Sequence, residues 1–377
     1  MVDEAIFRGT IAIQDVVLPV YRRSIYEKLA TRVDGRLSIL TGRSDDETGV
    51  VTTTAIEGAD YTPVDARRYL PSPATLIWQP GVVEWLAERS PDVFIASGNV
   101  RILSTHRARR WARKRGIPVL GWGLGTMMLA SGFEWARRPL RNRFYQGFDG
   151  IVAYSSRARN EYEAAGVPAD RIFVVHNCIA PRPTEPAPAR PSSFVDRPRI
   201  LFVGRVYSGK RLDLMIDAVA RFPKEDRPVI EIVGEGPDRD DVAAYAASKL
   251  DSEDIVFSGK LFGKELTAAF DRADLFVLPG LGGLAIQEAM ARALPVIVGE
   301  ADGTQDDLVR PENGWLFDPP TVDHLHHLIS EAFSDVSRLR RMGDESYRIV
   351  YEELNLDQMI VELVDAANRI REMGISR

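Results

Sequence analysis

Apolar residues come along this chain in short runs separated by amphipathic stretches, and the alternation recurs from one end to the other. Ile11–Val20 (IAIQDVVLPV) is an apolar run closed by Leu18-Pro19, after which Tyr21–Leu29 repeats apolar positions at helical spacing. Strands are expected at Leu37–Leu40, Val93–Ser97, Val119–Trp122, Gly150–Tyr154 and Ile172–Val175. Helices are expected at Gly81–Arg89, Ser104–Arg115, Leu140–Gly147 and Ser156–Ala165. Ser44–Pro73 is polar and poorly periodic and reads as irregular, with a weak strand near Val50–Ala55. Strands regularly followed by helices indicate a parallel sheet covered on both faces.

The pattern breaks once. Pro181–Arg199 holds Pro181, Pro183, Pro186, Pro188, Pro191 and Pro198, a density incompatible with the interior of a helix or sheet, and reads as a linker. The alternation then restarts, with strands at Ile200–Val203, Val229–Val233, Ile255–Phe257, Leu275–Leu278 and Pro295–Val298. Helices are expected at Leu212–Ala220, Asp238–Ala247, Lys264–Ala269 and Leu284–Ala293, and Leu356–Met373 is a last amphipathic helix. The expected organisation is a first domain over 1–180, a linker over 181–199, a second domain over 200–355 and a terminal helix over 356–377. The fold class is α/β, two Rossmann-like doubly wound domains facing across a cleft, because open α/β sheets take ligands at the C-terminal ends of their strands.

Composition narrows the function. The 377 residues are 45% hydrophobic and 27% charged, enough for two cores. A net charge of −6 argues against a nucleic-acid binder. Cys178 is the single cysteine, which excludes an internal disulfide and a multi-cysteine metal site. No run approaches the roughly 18–20 apolar residues of a membrane span, and MVDEAIFRGT is unlike a signal peptide, so a cytoplasmic location is expected.

The richest stretch is PGLGGLAIQEAMARALPVI, Pro279 to Ile297. A strand, a Gly-rich turn and a helix in that order leave free backbone N–H groups at a helix N-terminus, where a phosphate is favoured. Gly282 and Gly283 lack a Cβ and let a ligand lie on the backbone, next to the amides of Leu284 and Ala285. Glu288, about one turn into the helix, is placed to accept hydrogen bonds from a pair of sugar hydroxyls. Upstream, Gly204 ends the first strand of the second domain, and Arg205 and Lys210 follow in its loop. A planar guanidinium and a compact ammonium together can neutralise a diphosphate leaving group. Taken alone, both cations also read as solvated loop residues.

Gly280 to Pro295 resembles the signature of retaining glycosyltransferases of family 4, a GT-B family with the pattern EGFGLxxxEAMAxGxPVI. Glu288, Ala289, Met290, Ala291 and Pro295 match it; the first Glu is replaced by Gly280. The resemblance implies a nucleotide-sugar donor, a UDP- or GDP-sugar, with Glu288 on the ribose, and it removes at Gly280 a contact to the donor sugar. It implies that Arg205 and Lys210 form the pair that stabilises the departing diphosphate. IVGEGP resembles the family's turn in which Gly234 and Gly236 keep the wall beside the nucleotide open, and FSGKLFGKEL its segment beneath the base, with Leu261 and Phe262 as contacts. Phe262 reads equally as a core residue.

In the first domain Asn99 and Arg101 lie just past the strand Val93–Ser97 and would face the cleft; Gly123 and Gly125 offer a close-approach backbone. Many family members have a His near Leu124. LPVYR looks like the start of polysaccharide-assembly members, with Arg22 toward the cleft or acceptor, or else a surface cation. Asp302, Thr304 or Asp306 is a substitute for the contact missing at Gly280. The expected activity is sugar transfer, with retention, to a sugar, lipid-linked or small-molecule acceptor. A silent donor-binding subunit and a nucleotide-sugar epimerase stay open as alternatives.

No metal or other cofactor is expected. Asp238–Asp240 opens a helix, where carboxylates complement the dipole, and His324, His326 and His327 lie on an amphipathic helix. Arg107, Arg109, Arg110, Arg113, Lys114 and Arg115, with Arg137, Arg138, Arg141 and Arg143 and the interleaved Trp111 and Trp135, form a basic concentration. It reads as a peripheral contact with anionic lipid at the inner face of the plasma membrane or as a solvated helix face.

Overall fold

The computed structural model describes residues 5–43, 52–70, 75–126, 134–299 and 303–374, with the side chains of 134–136 excepted. Asp302, the Trp135 side chain and the start of the strand expected near Val50 lie outside these residues. The chain divides into two compact units, Met1–Ile179 with Leu356–Arg377, and Ala180–Asn355.

The strands of the first unit are β1 (Phe7–Val17), β2 (Val33–Gly42), β3 (Asp60–Val64), β4 (Arg67–Tyr69), β5 (Leu76–Trp78), β6 (Val93–Ser97), β7 (Val119–Gly123), β8 (Gly150–Ala153) and β9 (Ile172–Val174). They build a parallel sheet in the order β3-β2-β1-β6-β7-β8-β9, while β4 and β5 form a separate antiparallel pair. The central strands are covered on both faces, and Ile11, Ala12, Ile13, Phe94, Ile95 and Ala96 are buried without regard to alternation. The final helix, Leu356–Met373, packs on this unit and buries Met359, Ile360, Leu363, Val364 and Ile370.

Four elements of this unit differ from the sequence expectation. Ser44–Pro73 holds β3 and β4. β3 is the sheet edge, and an edge strand needs no apolar run and tolerates Pro63. β5, three residues long, is too short for a periodic signal. The helix expected from Leu140 runs over Glu134–Tyr145 with Pro139 inside it, because one proline removes a hydrogen bond without ending a helix whose other residues continue it.

The second unit contains β10 (Arg199–Val203), β11 (Val229–Val233), β12 (Ile255–Gly259), β13 (Leu275–Leu278), β14 (Val296–Gly299) and β15 (Gly314–Phe317). Their order is β12-β11-β10-β13-β14-β15, all parallel. In both sheets the winding direction reverses once, between β1 and β6 and between β10 and β13. The loops leaving the two strands at such a point diverge and open a crevice at their C-terminal ends. The proline-rich stretch before β10 is an extended strap on the second unit. Arg340 Nε donates to the Pro191 carbonyl at 2.8 Å, Arg182 stacks on Tyr351 at 4.3 Å, and the Tyr347 hydroxyl donates to the Glu185 carbonyl.

Candidate active site

The crevice of the second unit is framed by the loop after β10 and the turn after β13. Ser208–Lys210 is a single 3-10 turn, held from one side by Asp238 Oδ2, which accepts from Ser208 N at 2.6 Å. On the other side Leu281 N donates to Gly209 O at 2.9 Å, and the Lys210 ammonium donates to the Leu281 carbonyl. The two loops are therefore stitched together through main chain and one lysine.

Two glycines make this contact possible, and a third lies against Thr304. A Cβ at Gly280 would lie 2.3 Å from Gly209 O and 2.8 Å from Lys210 C, so the backbone of the Ser208–Lys210 turn fills the space any side chain there would need. At Gly282 (φ +138°) a Cβ would lie 2.4 Å from Lys210 Nζ, and at Gly283 one would lie 3.0 Å from Thr304 Oγ1. The close approach expected at Gly282 and Gly283 is thus made by Lys210 and Thr304.

Gly283 is the N-cap of helix Leu284–Ala291 and brings no capping side chain. Ile286 N is taken up by the Gly283 carbonyl at 3.1 Å, which leaves the amides of Leu284 and Ala285 at the positive end of the helix dipole. Lys210 adds its charge beside them. Burial pushes the Lys210 ammonium below the ordinary lysine range. Burial likewise pushes the Glu288 carboxyl up, and among the described residues no cation pairs with it. A half-buried carboxylate without a counter-ion is costly unless a ligand donates to it.

Arg205 is exposed, five positions before Lys210, and makes no ion pair with a described residue. Leu261 is half-buried, but Phe262 is 74% exposed at the start of helix Gly263–Arg272, which excludes its reading as a core residue. Gly234 and Gly236 have a packing task. Cβ atoms there would lie 1.8 Å from Gly204 O and 1.9 Å from Val206 O, so these glycines let strand-end loops pack backbone on backbone. Gly209 was not singled out from sequence and Asp238 was read there only as a helix-opening carboxylate; their part in positioning the lysine turn appears only from its proximity in space.

The crevice of the first unit turns its polar groups inward. The Arg22 guanidinium donates to Tyr154 Oη at 2.5 Å and stacks between the Trp122 and Tyr154 rings at 5.5 and 5.6 Å. Arg22 is therefore no simple surface cation. Asn99 Oδ1 accepts from Arg101 N at 3.0 Å and closes its own turn. A Cβ at Gly123 would lie 2.7 Å from Tyr162 Oη, so the close approach there is to a tyrosine of the same unit.

No group of three or more His, Cys, Asp or Glu among the described residues is arranged to hold a metal ion. Asp240 pairs with Arg239 at 3.2 Å, His326 Nδ1 lies 3.0 Å from the Ala218 carbonyl, and His324 Nδ1 lies 3.3 Å from that of Pro319. On helix Leu103–Arg113 the basic face is exposed except at Arg109. That side chain turns inward to donate to the Phe144 carbonyl at 2.6 Å, and burial beside Arg113 pushes its pKa down to about 10. Arg141 is also buried, whereas Leu140 is 73% exposed. No described helix is long and apolar enough to cross a membrane.

Two family descriptions match successive parts of the chain: "Glycosyl transferase 4-like domain" over residues 19–178 and "Glycosyl transferases group 1" over residues 184–349. The chain is built of a glycosyl transferase 4-like part followed by a glycosyl transferases group 1 part. A GDP-mannose-dependent alpha-(1-6)-phosphatidylinositol monomannoside mannosyltransferase of Mycobacterium tuberculosis is 25% identical over 247 residues, 61% of this chain and 64% of that protein. The match thus spans less than two thirds of the relative's own length. Among solved structures, the apo lipopolysaccharide outer core galactosyltransferase WaaB superposes with a TM-score of 0.71 at 17% identity, covering 96% of this chain and 99% of the other. HepE of Anabaena in complex with UDP-glucose superposes with a TM-score of 0.63 at 16% identity, covering 97% and 99%. At these identities the structures establish the GT-B fold.

Proposed function

We propose that the chain is a retaining glycosyltransferase that moves a sugar from a UDP- or GDP-sugar to an acceptor hydroxyl in glycan, glycolipid or exopolysaccharide assembly. The observation that carries this reading is local to the second unit: at one switch point a lysine ammonium, the amino end of a helix and a carboxylate without a counter-ion belong to the same pair of loops. Phosphates suit the first two, and the ribose hydroxyls suit Glu288.

In the proposed step the bond between the anomeric carbon and the diphosphate oxygen breaks while the acceptor oxygen bonds the same face of that carbon. The acceptor proton passes to the leaving phosphate, so no side-chain nucleophile is required. Lys210, Arg205 and the amides of Gly282 to Ala285 stabilise the charge growing on the diphosphate, and this electrostatic contribution is the main catalytic one. Arg22, Asn99, Arg101 and Gly123 border the crevice of the first unit and are the proposed acceptor side; Thr304, beside Gly283, is proposed for the donor sugar. The reaction needs no metal on this reading.

A lipid-linked acceptor is supported by the relative named for a phosphatidylinositol mannoside and by the exposed Arg107, Arg110, Arg113, Arg137 and Arg138. Binding to anionic vesicles that weakens steeply with salt would support that face as a membrane contact; salt-insensitive binding or none would dismiss it. For the activity itself, purified protein is given UDP- and GDP-hexoses with candidate acceptors, and the linkage formed is read by NMR. An α-linked product from an α-linked donor is expected. An inverted product refutes the mechanism. Nucleotide binding without any donor cleavage favours the silent donor-binding subunit to which Gly280 and Leu124 point.

A further inference from the structure

The strap that precedes β10 carries one side chain whose placement concerns the donor helix directly. Arg190 sends its guanidinium to the C-terminal ends of two helices at once. Nε donates to the Ala293 carbonyl at 3.0 Å, and Nη2 to those of Arg292 at 2.8 Å and Phe270 at 3.1 Å. Nη1 donates to the Asp271 carbonyl at 3.3 Å and also to that of Ala273. These carbonyls close helix Gly263–Arg272 and helix Leu284–Ala291.

A helix C-terminus leaves its last carbonyls unbonded and carries a partial negative charge. Two such ends meeting would repel each other, and a cation between them removes the conflict. Arg190 forms no salt bridge with a described carboxylate; its direct contacts are these carbonyl dipoles, and Asp271 and Asp274 act on it electrostatically from nearby. A guanidinium suits the task because its five N–H groups lie in one plane with fixed directions.

The second of the two helices is the one that carries Glu288 and offers its amino end to the phosphates. It has only eight residues, about 12 Å at the helical rise, so a shift at its C-terminal end moves the whole rod. Its exit is also strained: Ala293 has φ +54°, a left-handed conformation unusual for a residue with a Cβ. That residue's carbonyl is one that Arg190 grips.

We propose that Arg190 is a positioning residue for donor binding: from the interdomain strap it fixes the C-terminal end of helix Leu284–Ala291, and with it the register of Glu288 and the phosphate turn. The proposal rests on the donor reading of that helix. It also means that the strap and the donor site are coupled, so that any change in the strap alters nucleotide affinity.

The test is titration of the full chain with UDP and GDP in the wild type, R190K, R190A and R292A, with melting temperature measured alongside. Arg292 supplies a control, because its bridge to Asp271 at 2.6 Å joins the same two helices at their surface and leaves the Arg190 contacts in place. R190K, which keeps a buried cation but cannot span both helix ends, is expected to weaken nucleotide binding about tenfold, the scale of a lost charge-assisted hydrogen bond. Its KM for donor should rise while kcat changes little. In R190A, millimolar guanidinium ion should restore much of the lost affinity. R292A should lower the melting temperature and leave affinity near wild type. Should R190A not fold, R190K carries the comparison. Unchanged affinity in R190K overturns the proposal, and so does an equal loss of affinity in R292A at an equal loss of stability. A wild type that binds neither nucleotide is a separate failure, that of the donor reading itself.

Discussion

The two switch points share a topology and differ in what fills them. In the first unit the loops after β1 and β6 satisfy themselves: Arg22 is held by Tyr154 between two aromatic rings, and Asn99 closes its own turn. In the second unit the loops after β10 and β13 leave chemistry unfinished. Among the described residues Arg205 is exposed, Glu288 is half-buried without a counter-ion, and Lys210 has only the Leu281 carbonyl and the Tyr207 ring. Unfinished electrostatics in a crevice is where a charged ligand gains most, because its arrival completes contacts that the empty protein lacks. The first unit instead offers a surface whose cation is already engaged by Tyr154 and two rings, with Arg22 Nε and Trp122 Nε1 buried without a hydrogen-bond partner among the described residues, a surface suited to shape and stacking more than to charge.

Substitutions should separate the two regions. The largest effect is expected for Lys210→Ala, with turnover lower by on the order of 10²–10³, the scale for one preorganised charge contact, checked by steady-state kinetics. Gly280→Glu comes next. The side chain has no room beside Gly209 and must displace the lysine turn, so turnover should fall at least about tenfold and a donor contact should not be gained; improved donor affinity would contradict that geometry.

Glu288 gives a pH signature. Burial raises its pKa above the ordinary 4.5, so the empty fold is favoured with the carboxyl neutral, at low pH, and loses that advantage as pH rises through the raised pKa. Nucleotide binding runs the other way, because only the carboxylate accepts two hydrogen bonds. Affinity should drop on acidification with a midpoint above 4.5, and Glu288→Gln should flatten the profile, as read by titration across pH. The smallest effect is expected for Asn99→Ala, which removes a turn hydrogen bond worth about 1 kcal/mol and should lower the melting temperature slightly while leaving donor affinity alone.

Much of this was legible in the sequence. Strands Val229–Val233 and Leu275–Leu278 are fully buried, as is Val93–Ser97 up to its last residue, so their apolar runs announced both existence and extent. Edge strand β3 was not legible, since half of its environment is solvent and its residues carry no periodic mark. Residue types singled out the turn proposed for the phosphates and Glu288, because glycines and a carboxylate at that spacing have few other uses. The reason for Gly280 was hidden: what it makes room for is the backbone of Gly209, 71 residues earlier in the chain. Arg190 was hidden for the same reason. Within a proline-rich stretch it stands in no motif, and only tertiary structure gathers five carbonyls around it.

The central claim is that Lys210, the Gly282 turn and Glu288 hold one nucleotide sugar. Calorimetric titration of the wild type, Lys210→Ala and Glu288→Ala with UDP and GDP tests it most directly. One of the two nucleotides should bind the wild type saturably, and each variant should bind it at least about tenfold more weakly, as expected for a lost hydrogen bond to a charged group. Wild-type affinity in both variants would contradict the account.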